Sequence, residues 1–203
     1  MHEERWNTWT HAAGVVAALV GGTVLITVAS LRRDPWQIVA TSLFTASLVL
    51  LYSASTAYHA ARSPTVRLRL RVLDHCAIYV LIAGSYTPFL LGALRGPWGW
   101  TLFGVIWGLA VAGIIFKLFF TGRLRRLSTL IYLGMGWLVL VAIVPLLQSL
   151  SPVTLAWLVV GGLAYTLGTP FYHRERMPYA HAVWHLFVLV GSAAHGIAVF
   201  TQL

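Results

Sequence analysis

Residues 180–202 read AHAVWHLFVLVGSAAHGIAVFTQ, and this stretch decides the fold. It carries no Asp, Glu, Lys or Arg. At 1.5 Å of rise per residue, an α-helix of that length crosses the ~30 Å hydrocarbon layer of a bilayer. His181 and His185 stand at i and i+4 at its start, so both rings leave one helical face, about 6 Å apart at Cβ. Such a pair alone is more often packing than a ligand set. Its meaning depends on what else reaches the same end of the helix.

Six further apolar segments precede it, at about Ala12–Leu31, Trp36–Tyr58, Val72–Leu94, Trp98–Phe120, Thr129–Gln148 and Pro152–Tyr172. Short joints punctuated by Arg32-Arg33-Asp34-Pro35, Gly96-Pro97, Ser151-Pro152 and Met177-Pro178 separate them. The composition agrees: 59% hydrophobic, 9% charged, mean hydropathy +0.80. A soluble domain carries about 25% charged residues because its surface must face water. The sequence therefore predicts an all-α integral membrane protein, one seven-helix bundle over residues 1–203, with no room for a soluble domain and no internal repeat. Glu3 and Glu4 beside Arg5, followed by a long apolar run, do not read as a secretory signal. The single cysteine, Cys76, excludes an internal disulfide.

The net charge of +9 would suggest nucleic acid in a soluble chain, but here the basic residues fall in clusters between apolar runs. Eleven of the fourteen lie at one face: Arg5; Arg62, Arg67, Arg69 and Arg71; Lys117, Arg123, Arg125 and Arg126; and Arg174 and Arg176. Arg32, Arg33 and Arg95 lie at the other. The positive-inside rule then puts the N-terminus in the cytoplasm and the C-terminus outside, in a multi-pass cell-membrane protein. Topology and anionic headgroups explain the charge, so no nucleic-acid partner is expected.

Few polar residues survive within the spans. Glu3, Glu4, Asp34 and Glu175 read as tail or loop acids, whereas Asp74 is placed in the first turn of the third span. It either pairs with Arg71 or caps its helix at the interface, or it faces the bundle interior toward a partner. Histidine favours the second. His59 closes the second span, and His181 and His185 open the seventh at the same face. Three imidazoles and a nearby carboxylate at similar depth match a catalytic zinc site that keeps one position for water. Of the other histidines, His195 lies about 21 Å deeper along its helix and cannot share the metal. His75 points about 100° away from Asp74. His11, with Asn7 on its face, reads as an interfacial anchor or a support of the site. Gly104-x-x-x-Gly108 and Ser192-x-x-x-Gly196 suit close helix packing.

Five stretches together resemble the hemolysin III family, the bacterial branch of the progestin and adipoQ (adiponectin) receptor superfamily. They are Glu4-x-x-Asn7-x-x-Thr10-His11, Ser55-x-x-Tyr58-His59, Asp74-His75, Gly84-Ser85-Tyr86-Thr87-Pro88 and His181-x-x-Trp184-His185. The resemblance covers essentially the whole chain. It implies a seven-helix bundle with a cytoplasmic N-terminus and a zinc ion held by His59, His181 and His185. It also implies that Asp74 holds the metal's water and that Ser55 stands beside it. An adiponectin-like ligand is not implied.

The chemistry of these residue types points the same way. Zinc on neutral imidazoles remains a Lewis acid and lowers the pKa of its water to about 7. Asp74 can take a proton from that water and return it to a leaving group. Ser55, at i−4 from His59, either hydrogen-bonds that group or back-bonds to its own helix. Pro88 is expected to kink its helix, so that the small and hydroxyl residues around it open a cavity for an acyl chain. The leading expectation is a zinc-dependent membrane hydrolase of a lipid amide or ester, ceramidase-like, acting in membrane lipid homeostasis near the cytoplasmic face. The alternative is a non-enzymatic membrane protein, a sensor or receptor or one associated with cytolysis, with a structural zinc.

Overall fold

The computed structural model describes residues 2–174 and 176–203, so Glu175, read above as a loop acid, lies outside the described residues. Helices α1 (His2–Leu31), α2 (Pro35–Ala60), α3 (Pro64–Leu91), α4 (Pro97–Phe120) and α5 (Arg125–Gly136) come first. A 3₁₀ turn at Trp137–Ala142 joins α5 to α6 (Ile143–Ser149), and α7 (Pro152–His173) and α8 (Ala180–Gln202) complete the chain. The segment Arg125–Ser149 is one rod, so the described residues form seven rods and no strand.

Local chemistry sets the helix starts. Pro35, Pro64, Pro97 and Pro152 each open a helix, where a missing N–H leaves no bond unmade and the fixed φ suits the first turn. The Asp34 carboxylate accepts from the Trp36 and Gln37 backbone N–H groups, and Ser151 Oγ accepts from that of Thr154. The 3₁₀ turn is held from outside its own rod. The Tyr86 hydroxyl donates to the carbonyls of Met135 (2.8 Å) and Gly136 (2.7 Å) and accepts from Val139 N–H (2.9 Å), groups that the break leaves short of α-helical partners.

Two helices start earlier than their apolar segments. α1 begins at His2 rather than near Ala12, and α3 at Pro64 rather than Val72. Asp74 therefore sits not in the first turn of α3 but nearly three turns in, and Glu4 is a helical residue rather than a tail residue. The physical reason is that hydropathy marks the hydrocarbon layer, whereas backbone hydrogen bonding carries a helix on into the interface. Six rods are long and apolar enough to cross a membrane. α3 is not among them, because Asp74, His75 and the Gly84–Pro88 stretch dilute its apolar residues.

α1 packs on α2 and α8, α2 on α3, and α7 on α8, while α5 touches both α3 and α7. These rods encircle a cavity of about 510 Å³. α4 packs on the outside of α3 and, among the described residues, lends the cavity only Lys117. Close approach of α1 to α2 needs Gly14, where a Cβ would meet the Tyr52 ring at 2.6 Å. Gly104 and Gly108 do not serve the packing their spacing suggested: nothing lies within 4 Å of a Cβ at either. They fall on the outward face of α4, whose packing is carried by Leu102, Ile106, Ala110 and Gly113 instead. Pro88 lies within α3, which continues to Leu91, and its carbonyl accepts from Gln37 Nε2 on α2 (3.3 Å).

A candidate metal centre

His59, in the last turn of α2, and His181 and His185, at the start of α8, converge. One ring nitrogen from each lies within 4.8 Å of the others. The ring centroids are 4.6 Å apart for His181 and His185, 4.9 Å for His59 and His181, and 5.1 Å for His59 and His185. The i, i+4 spacing aligns the α8 pair, and the packing of α1 between α2 and α8 brings His59 to it across 122 residues of chain.

Hydrogen bonds from α1 orient two of the rings. His59 Nδ1 lies 2.7 Å from Glu4 Oε2. A carboxylate can only accept, so Nδ1 carries the proton of this bond and Nε2 is the nitrogen left to face a ligand; Nε2 is buried and has no protein partner. Arg67 on α3 bonds the other Glu4 oxygen and holds that carboxylate in place. His185 Nδ1 donates toward the Asn7 carbonyl (3.2 Å) and the Thr10 hydroxyl (3.0 Å), again turning its other nitrogen away from α1. His11 stacks on the His185 ring at 3.5 Å and meets Tyr52 edge-on at 5.1 Å. It is 3% exposed, so it supports the site rather than anchoring the interface. The Glu4-x-x-Asn7-x-x-Thr10-His11 stretch thus acts as one brace along the first turns of α1. The family resemblance rests in part on this stretch but implies no part in the site for Glu4. Its i, i+3, i+6 and i+7 spacing on one helical face was the available signal.

Asp74 and Ser55 line the same cavity as the three histidines. Asp74 is 8% exposed and, among the described residues, makes no ion pair, so pairing with Arg71 is not its role. Ser55 sits next to it with its hydroxyl buried and unpartnered, neither back-bonded to α2 nor closing a hydrogen bond of good geometry. The carboxylate is not part of the convergent nitrogen set. Ser85 and Tyr86 also line the cavity, while Gly84 packs on Ser47 of α2, so two of the five residues of the Gly84–Pro88 stretch face the interior. His195 lines the cavity too, its ring 5.5 Å from that of Tyr165 and its Nδ1 without a partner. His75 contributes its carbonyl to the Tyr132 hydroxyl (3.0 Å) and joins no metal set.

The donor set fits a divalent metal that accepts imidazole. Three ring nitrogens converge, one of them an orphaned buried Nε2, and a carboxylate and a hydroxyl line the same cavity. Histidine ligands held through Nδ1 by a carboxylate or a carbonyl are the arrangement by which proteins fix such sites.

Comparison with known proteins shows the family. The profile of the family described as "Haemolysin-III related" matches residues 1–196. The chain is 46% identical over 192 residues to "Hemolysin-3 homolog" of Bacillus subtilis (strain 168), covering 95% of this chain and 90% of that one. It is 47% identical over 191 residues to "Hemolysin-3" of Bacillus cereus, covering 94% and 87%. It is 30% identical over 210 residues to "Monocyte to macrophage differentiation factor" of Homo sapiens, covering 100% and 85%.

Proposed function

We propose that this chain, a multi-pass membrane protein that belongs to the haemolysin III family, is a zinc-dependent hydrolase of a lipid amide or ester. The observation that carries the reading is the pairing of three convergent histidines with an unpaired, buried carboxylate on the wall of one cavity. His59, His181 and His185 hold the metal. Bound there, zinc supplies Lewis acidity to a carbonyl and acidity to water.

The chain's own residues do the rest. Asp74 takes the proton of the attacking water and returns it to the amine or alcohol that leaves, so that water adds across the acyl bond with no other reactant. Ser55, whose buried hydroxyl has no partner of its own, is free to donate to that carboxylate and keep it aimed into the cavity. Glu4, Asn7 and Thr10 hold the rings of His59 and His185, so little reorganisation is needed during reaction. The apolar cavity wall, with Leu51, Ile78, Leu81 and Val188, takes the acyl chain and excludes bulk water. The excess of Lys and Arg at the histidine end supports a site near the cytoplasmic face.

A metal that only clamps helices has one observation in its favour, since the set joins α2 to α8 with α1 braced against both. The two readings separate at Asp74, which a clamp does not need. Purified protein in lipid nanodiscs is to be offered acylated lipids, with release of free fatty acid measured. Turnover by wild type that is lost in Asp74→Asn with metal retained is the expected result; equal release by both, or release by neither, contradicts the hydrolase.

A further inference from the structure

α4 is almost wholly apolar, yet it buries one cation. Lys117 is 2% exposed and lines the cavity from outside the ring of helices. Its Nζ donates to Ser128 Oγ at 2.7 Å and stands 5.8 Å from the centre of the Tyr132 ring. Arg71 on α3 reaches the same part of the wall, its guanidinium set against Gly122 at 2.9 Å from where a Cβ would stand. Gly122 has φ +84°, a conformation that glycine adopts freely, and its lack of a side chain leaves room for that guanidinium. Arg71 Nε and His75 Nδ1 are buried without partners. Among the described residues no carboxylate lies within salt-bridge distance of Arg71 or Lys117.

The positive-inside rule accounts for basic residues in exposed loops, not for an ammonium carried into the bundle. Burying a cation with no anion beside it is strongly unfavourable. An anion completes the group, and the geometry limits where it comes from. Arg125 stacks over the Tyr172 ring at 4.2 Å, and that ring lies 6.0 Å from the His181 ring. One tyrosine therefore separates the basic wall from the histidines, inside a single cavity.

From this juxtaposition we infer that Arg71, His75 and Lys117, with Arg125 at their edge, form a phosphate-binding subsite. The lipid the cavity takes then carries a phosphate a few bonds from its acyl linkage. Naming it as substrate rests on the hydrolase reading; the phosphate site itself does not. Both Arg71 and His75 lie on the Asp74 turn of α3, so the phosphate would be anchored by the helix that carries the proton-transfer group.

The test is thermal unfolding of the full-length protein in neutral detergent, with dioleoyl phosphatidic acid, dioleoyl phosphatidylcholine, oleic acid or inorganic phosphate added. Wild type is expected to gain most from phosphatidic acid, and inorganic phosphate to compete with it. Lys117→Gln and Arg71→Gln should each weaken phosphatidic acid binding roughly tenfold or more. Lys117→Gln should also unfold no lower than wild type without lipid, because removing an uncompensated buried charge is not destabilising. Arg126→Gln, at an exposed position, should bind as wild type does. His181→Ala/His185→Ala, which abolishes the metal site, should keep the phosphate preference, so failure of the metal reading would leave this result standing. A response to inorganic phosphate as large as that to phosphatidic acid would assign the site to free phosphate and remove the lipid from the proposal. Equal shifts from phosphatidic acid, phosphatidylcholine and oleic acid would overturn the subsite, as would a preference that survives in both charge variants or is lost in Arg126→Gln.

Discussion

α3 and α4 lie side by side and invert the usual meaning of hydrophobicity. α4 is long and apolar enough to cross a membrane, and it stands at the periphery with Val111, Leu118 and Phe119 exposed. α3 is too polar to qualify as a span by the same measure, yet it runs through the centre and buries every residue from Ala83 to Leu91. In water, apolar residues mark the inside. In lipid they mark the outside as well, and the informative residues are the polar ones that the bundle shields. The functional reading therefore sits on α3 and the helices around it, and α4 matters through one lysine.

Substitutions should break that contrast unevenly. The largest effect belongs to α3: Asp74→Asn should lower lipid hydrolysis by about 10²–10⁴-fold while leaving metal content intact. Next comes the brace on α1. Glu4→Gln removes the carboxylate that fixes the proton on His59 Nδ1, and metal affinity by competition with a chelator should fall about 10–100-fold. Ser85→Phe fills the cavity from α3 and should weaken acyl-lipid binding by about tenfold, read as a raised KM. Gly84→Phe is the poorer test of the same idea, because that position packs on Ser47 and the variant would disturb the helix pair. The smallest effect belongs to α4. Val111→Leu, on its exposed side, should move stability by less than about 0.5 kcal/mol, seen as an unchanged unfolding temperature.

Much of this was legible in the sequence, for a physical reason. Spans of apolar residues follow from bilayer thickness, and six of the seven rods carry that signal on their own. The histidine set was legible because helix periodicity aligns His181 with His185 and because odd and even spans alternate ends, which returns His59 to them. Two things were not legible. Hydropathy is silent about helix beyond the hydrocarbon layer, so the early turns of α1 and α3 were missed, and with them the true depth of Asp74 along its helix. The Glu4–His59 pair joins residues 55 apart in sequence; the spacing on α1 marks a polar face but does not name the partner it meets only when α1 packs against α2. The Gly104–Gly108 pair failed in the opposite sense: its spacing permits close packing, but the helix turns that face outward.

The central claim is that His59, His181 and His185 hold a metal ion. Metal per chain in detergent-purified protein, measured by plasma mass spectrometry for wild type and for His181→Ala/His185→Ala, tests it most directly. The account predicts one zinc per wild-type chain and none in the double variant. Wild-type protein purified without chelator that carries no metal, or a double variant that keeps it, would contradict the account.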